Sequence, residues 1–374
     1  MLGAPPGLDE RALTERLITY DTSTPDGIRK AAGFVKGWLE SRDIPVEEMD
    51  VRGMPLLAAS VGAAASPRVV FHGHLDVVPA HEEQFQPRVE GDRLYGRGAY
   101  DMKGALAAMM GAVQELREAR DVSIVLAVVP DEESEEEVDR GTHFLIEKGF
   151  NGDFAITGEP TDLHIGVQAK GVLALRLRVG GTAAHGSTPW LGDNAILKAL
   201  DVFRAIESLS FARESSDLFD RPSINLGRIL GGDALNKVPD SCAIDVDIRY
   251  LPGQDPAEIR AQIADLESVE VVAQFNRMPA IVKRDNPFVS VLSECASKLV
   301  ETETISVGRD GASDAICFLE AGVPAVEFGP HGAGHHGPAE WVSLSSLVVY
   351  RQALVEFARL IPRRLSGKPR LRIA

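Results

Sequence analysis

Three short apolar runs in this chain each end in acids and histidines, and that pattern limits the fold more than any other feature. Val69-Val70-Phe71 runs directly into His72-Gly73-His74-Leu75-Asp76. Ile124 to Val129 is followed by Pro130-Asp131-Glu132-Glu133, and Asp153 to Thr157 by Gly158-Glu159-Pro160. Unbroken apolar runs of this kind read as strands buried on both faces. Between the first two, Met102 to Arg120 is Ala-rich and apolar along one face, which predicts a helix. Ala12 to Ile18 and Asp26 to Leu39 show helical spacing as well. Strands alternating with helices predict an α/β sheet covered on both faces. Sites in such sheets form at the carboxyl ends of strands, so the three acidic segments are expected to meet in one crevice.

Taken singly these segments say little. Acidic runs are usually solvated, and Glu135-Glu136-Glu137 reads that way. Together they place several carboxylates at a sheet edge, where burial is costly unless a cation pairs them. Asp101, in the Gly-rich turn Gly96 to Gly104, and His335-His336, in the Gly/Pro/His segment Gly329 to Pro338, extend the set. No comparable group of Lys and Arg lies in those segments. A divalent metal would do the pairing; scattered solvated acids are the competing reading. Carboxylates with imidazole and no thiolate suit zinc, cobalt or manganese.

The pattern changes near residue 170. Leu173, Leu175, Leu177 and Val179 alternate with Ala174, Arg176 and Arg178, as in a strand with one exposed face. A helix over Asn194 to Glu207, strands at Ser223 to Ile229 and Cys242 to Tyr250, a helix from Pro256 and a strand at Val269 to Phe275 complete a small open-faced sandwich. From Asn286 the chain returns to helix and strand and ends in a long helix from Leu344 to Leu360. The expected division is 1–169 and 285–374 for one domain, with 170–284 inserted. That matches a length of 374 residues, enough for two or three domains at about 150 residues each.

Composition removes other classes. A net charge of −16 argues against a nucleic-acid binder. The basic tail Arg363 to Arg372 reads as a solvated end. Cys242, Cys295 and Cys317 have neither disulfide-framework nor zinc-finger spacing, so buried thiols in a reducing compartment are expected. The first residues lack a signal-peptide pattern and no apolar run is long enough for a membrane span, so a soluble cytoplasmic protein is the expectation.

Ordered motifs along nearly the whole chain resemble the M20 metallopeptidase family, which includes acetylornithine deacetylases, succinyl-diaminopimelate desuccinylases, aminoacylases and glutamate carboxypeptidases. The motifs are HGHLDVVP at 72–79, GRGAYDMKG at 96–104, PDEE at 130–133, GEP at 158–160, GGTAAHGSTPWLGDNAI at 180–196, NKVPDSCAIDVDIR at 236–249 and GHHGPAEWV at 334–342. The resemblance implies a mixed-sheet, zinc-peptidase-like catalytic domain with an inserted α+β, ferredoxin-like lid or dimerisation domain. It implies two divalent ions per chain, zinc first and cobalt or manganese as alternatives. His74 and Glu159 would hold one ion, Glu133 and His336 the other, and Asp101 would bridge them. His336 is preferred to His335 because it stands four residues before Glu340.

By the same resemblance Asp76 holds the His74 ring, Glu132 is the general base, and a cis peptide follows Asp101. His185, Asn236 and Arg249 would meet the substrate, Arg249 gripping a carboxylate, while Gly308 to Asp314 lines the substrate site. The implied reaction is deacylation of an N-acyl amino acid, with a dipeptidase or carboxypeptidase as the alternative. A homodimer through the inserted domain is expected, with no nucleic-acid or membrane partner.

Overall fold

The computed structural model describes residues 9–63, 67–133, 140–300, 306–311 and 313–365. The Glu135–Glu137 run and the chain beyond Leu365, which holds most of the basic tail, lie outside the described residues. Described residues within Met1–Val167, Val282–Val307 and Ser313–Ala374 group into one unit; those within Gln168–Ile281 and Gly308–Ala312 form a second.

The first unit is built on a mixed sheet. Its strands run in the order Val46–Val51, Met54–Gly62, Ser123–Val129, Arg68–His74, Phe154–Thr157, Ala325–Glu327 and Ile165–Ala169. Arg68–His74 pairs in parallel with both Ser123–Val129 and Phe154–Thr157, in registers that set His74 opposite Val129 and His72 opposite Thr157. The three apolar runs read from the sequence are therefore adjacent, and all three point their carboxyl ends the same way. Residue alternation sends Val70, Val125, Ala127, Val129 and Ala155 to one face. There they join Leu145, Phe150 and Phe318 in a common core. Gly104–Leu116 packs with the strands, with Glu10–Ile18 and with the final helix Leu344–Leu365.

That central helix opens at Gly104 rather than Met102. The N–H groups of Gly98, Tyr100 and Asp101 are bonded to the Glu340 carboxylate, which holds the preceding turn out of helical geometry. The Asp101–Met102 peptide is cis. A short antiparallel sheet of Gly332–Ala333, Trp341–Ser343, Arg93–Tyr95 and Arg88–Glu90 brings the Glu340 segment to this turn. Gly158 is favoured by close approach, because a Cβ there would lie 2.5 Å from Met102 Cε and 2.9 Å from Ala105 Cβ.

The second unit has four antiparallel strands in the order Ser223–Gly231, Ser241–Tyr250, Gly171–Gly180 and Val269–Arg277. With helices Ala195–Ile206 and Pro256–Ala264 this is the β-α-β-β-α-β arrangement of a ferredoxin-like fold. Leu173, Leu175, Leu177 and Val179 bury one sheet face against residues of both helices. The opposite face is solvated and carries charge pairs, among them Arg176 with both oxygens of Asp245 at 2.7 Å. Among the described residues no helix is long and apolar enough to cross a membrane.

Phe71 is fully buried in the middle strand of the parallel triplet. Phe71→Ala should lower the unfolding free energy by about 3–5 kcal/mol in urea titrations. A loss below about 1 kcal/mol would place Phe71 outside the packed centre.

Candidate metal centre

The acidic segments meet because their strands are neighbours. His74 is the last residue of its strand, Glu133 follows the Ser123–Val129 strand, and Glu159 follows Phe154–Thr157. Among the described residues, donor atoms of His74, Asp101 and Glu133 lie within 4.8 Å of one another. Asp101 faces two imidazoles at once: Oδ1 is 3.3 Å from His74 Nε2 and Oδ2 is 3.5 Å from His336 Nε2. His336 Nε2 is also 2.8 Å from Glu133 Oε1. His336 adopts a left-handed backbone at φ 61°, a conformation that costs about 1–3 kcal/mol for a non-glycine residue. Its neighbour His335 stacks edgewise on Tyr100.

His74, Asp101 and Glu133 are each held from behind. Glu340 accepts from the N–H groups of Gly98, Tyr100 and Asp101 at 3.0–3.1 Å, and from Arg97 Nη1 at 2.7 Å. His74 Nδ1 lies 2.9 Å from the main-chain oxygen of Asp76 and 3.5 Å from its Oδ1. The Asp76 carboxylate makes its shorter bonds elsewhere, accepting from the N–H groups of Glu132 at 3.1 Å and Glu133 at 2.8 Å. Asp76 thus ties the histidine strand to the Asp-Glu-Glu turn.

The electrostatics fit a cation. Burial disfavours charge on His74, yet Asp101, Asp76 and Glu159 outweigh it and raise its pKa well above the ordinary value. Hydrogen bonds to Asp101 and Glu133 push His336 up to about 10. Burial and the Asp101 and Glu132 charges raise Glu159 strongly, and its Oε1 is buried without a hydrogen-bond partner among the described residues. A divalent ion would replace the imidazole protons and give Glu159 a partner. His74, Asp101, Glu133, Glu159 and His336 are the residues that would hold it.

Behind Glu132, two side chains outside every motif, Arg140 and Thr142, join His72 and Asp314. Arg140 Nη1 donates to Asp314 Oδ1 at 3.0 Å and stands 3.6 Å from Glu132 Oε1. Thr142 donates to Asp314 Oδ2 at 2.5 Å and contacts His72 Nε2 at 2.8 Å. Asp314 closes a Gly-rich segment that was noted in the sequence. Arg140 follows an acidic run and carried no signal of its own.

A family model described as Peptidase family M20/M25/M40 matches residues 70–360, which include every one of these positions. The chain belongs to peptidase family M20/M25/M40. It is 32% identical to a succinyl-diaminopimelate desuccinylase of Gluconobacter oxydans (strain 621H), covering 93% of this chain and 96% of the relative. The corresponding enzyme of Sphingopyxis alaskensis is 30% identical over 93% and 98% of the two chains. Among solved structures, a tripeptidase from Staphylococcus aureus subsp. aureus Mu50 aligns with TM-score 0.80 at 20% identity, over 95% of this chain and 99% of that one. A dinuclear metal binding peptidase of the M20 family from Bacillus subtilis aligns with TM-score 0.64 at 18% identity, over 94% and 99%. The mixed sheet with a separate antiparallel insertion is the M20 architecture, and the chain is a metal-dependent hydrolase of the M20 type.

The three residues that the M20 resemblance assigns to substrate all lie in the second unit. Gly186 N donates to the Asn236 carbonyl at 2.7 Å, so His185 and Asn236 stand together at one end of the sheet. Arg249 lies near the far end of the Ser241–Tyr250 strand, beside Asp247 at 3.1 Å, and is partly exposed.

With His74 and His336 as ligands, metal binding would release the protons that the neighbouring carboxylates favour on both rings. Apparent affinity for a divalent ion should therefore weaken as pH falls from 8 to 6, by about tenfold per unit for each proton released. Calorimetric titration of metal-stripped protein at several pH values checks this. Affinity that stays constant across that range would contradict the assignment of the imidazoles as ligands.

Proposed function

We propose that the chain cleaves the amide bond of short peptides at a two-metal centre. The observation that carries this reading is the convergence of His74, Asp101, Glu133 and His336 beside Glu132, with Asp101 turning one oxygen toward each imidazole. His74 and Glu159 would hold one ion, Glu133 and His336 the other, with Asp101 shared; zinc is the first choice for both. Ions held there would lower the pKa of a water and polarise the scissile carbonyl.

Glu132 is the group for proton transfer. Burial, with the Asp314 charge adding to it, pushes its pKa up to about 8, while His74 and Arg140 oppose the rise. Divalent ions beside it would lower that value again, leaving a carboxylate able to take a proton from the attacking water and return it to the leaving nitrogen. The Asp76 bonds to the Glu132 and Glu133 N–H groups fix where both side chains start.

The likeness to a tripeptidase from Staphylococcus aureus, at TM-score 0.80, supports a free-amine substrate over a succinylated one. Asp101, Glu132, Glu133 and Glu159 meet at the centre, where two divalent ions would offset their charge, and the bordering cations are committed. Arg97 is bonded to Glu340, Arg140 to Asp314, and Lys103 to the carbonyl of Tyr20. Arg249 is proposed to take the substrate's own carboxylate; His185 and Asn236, at the other end of its sheet, are proposed as polar contacts supplied across a dimer. The second reading, deacylation of an N-acyl amino acid, is favoured by the 32% identity to a desuccinylase.

A homodimer through the second unit is part of this proposal. Trp190, Leu191, Leu197, Leu230 and Leu235 are exposed there, and Ser223–Gly231 is an edge strand. Cys242, Cys295 and Cys317 are buried and in no disulfide, which supports a reducing, cytoplasmic setting.

Zinc-loaded protein should be tested on free-amine di- and tripeptides beside N-acetyl and N-succinyl amino acids, with released amine quantified. The peptides should be turned over faster; preference for one acylated amino acid would move the assignment to deacylase. Glu132→Ala should lower kcat at least ~10²-fold while metal content stays at the parent level. Retained turnover would remove Glu132 as the base.

A further inference from the structure

Glu132 is held by more than its own turn. Arg140 Nη1 lies between two carboxylates, bonded to Asp314 Oδ1 at 3.0 Å and 3.6 Å from Glu132 Oε1. Asp314 is fully buried and Arg140 is nearly so. The far oxygen of Asp314 accepts from Thr142, which in turn contacts His72 on the central strand. The buried Arg140 Nε has no hydrogen-bond partner among the described residues. The guanidinium is therefore placed by Asp314, and among the described residues it also makes a charge contact with Glu132.

The 3.6 Å separation is too long for a hydrogen bond and short enough for a charge contact. A tight bidentate pair would occupy the Glu132 oxygens and oppose their use for a proton. A charge contact restrains the carboxylate while leaving its lone pairs to a water. The anchor is rigid, because burying Asp314 without Arg140 would leave an unpaired charge. We propose that Arg140, presented by Asp314, is a positioning residue that sets the orientation of Glu132 for proton transfer. The inference rests on the reading of Glu132 as the general base.

Misorientation of a catalytic group slows the chemical step more than it weakens substrate binding. In metal-loaded enzyme assayed on a short peptide, Arg140→Ala should lower kcat by roughly 10- to 100-fold. KM should stay within about threefold, and metal content should equal that of the parent. Arg140→Lys, which keeps the charge but not the planar fork, should recover part of the rate, and added guanidinium ion should partly rescue Arg140→Ala. If Arg140→Ala does not fold, Arg140→Gln provides the neutral comparison and should show the same split between kcat and KM. Unchanged kcat in the folded neutral variant, with Glu132→Ala inactive, overturns the positioning role and leaves the base intact. Parallel loss of kcat and metal also overturns it, making Arg140 a structural support. Full turnover by Glu132→Ala overturns the base reading itself.

Discussion

Like charges brought together at the carboxyl ends of three adjacent parallel strands are the constraint around which this molecule is organised. His74, Glu133 and Glu159 arrive there because their strands are neighbours in the sheet, and Asp101 is brought in by a turn that Glu340 holds. Carboxylates in a site so little exposed repel one another and lose hydration, a combination that favours protons or cations. The raised pKa values of Glu159, His74 and His336 express that pressure. A divalent ion answers it with one charge centre shared among several oxygens, and the same ion supplies the chemistry of amide hydrolysis.

The supporting structure serves the same end. Asp76 bonds the Glu132 and Glu133 amides, Glu340 bonds the amides before Asp101, and Asp314 bonds Arg140 behind Glu132. Each is a carboxylate that accepts from main chain or guanidinium rather than facing the centre. The arrangement separates acids that present from acids that bind, and it lets adjacent residues such as Glu132 and Glu133 take different roles. Met102 lies between two glycines of the strand ends, Gly73 and Gly158, where any Cβ would collide with it.

Much of this was legible in the sequence. The strand runs ending at His74, Val129 and Thr157 stood out because a strand buried on both faces has to be apolar without interruption. The alternation of Leu173 to Val179 showed the second unit because one of its faces is solvated. Other parts were hidden for physical reasons. The hairpin Val46–Val51 and Met54–Gly62 was missed because its edge strand is acidic and largely exposed, a pattern that reads as loop. The start of the central helix was misplaced because Glu340, more than two hundred residues away, claims amides that local propensity assigns to a helix. Arg140 gave no signal because its partner Asp314 is 174 positions distant, and a long-range pair of this kind leaves no periodicity.

The central claim is that this cluster holds two ions through one shared carboxylate, and metal stoichiometry tests it most directly. Metal-stripped protein dialysed to saturation against zinc, with zinc and protein counted in the same sample, should bind two ions per chain. Asp101→Ala should lose both, since its two oxygens face both imidazoles. Saturation at one ion in the parent, or two ions retained by Asp101→Ala, would contradict the account.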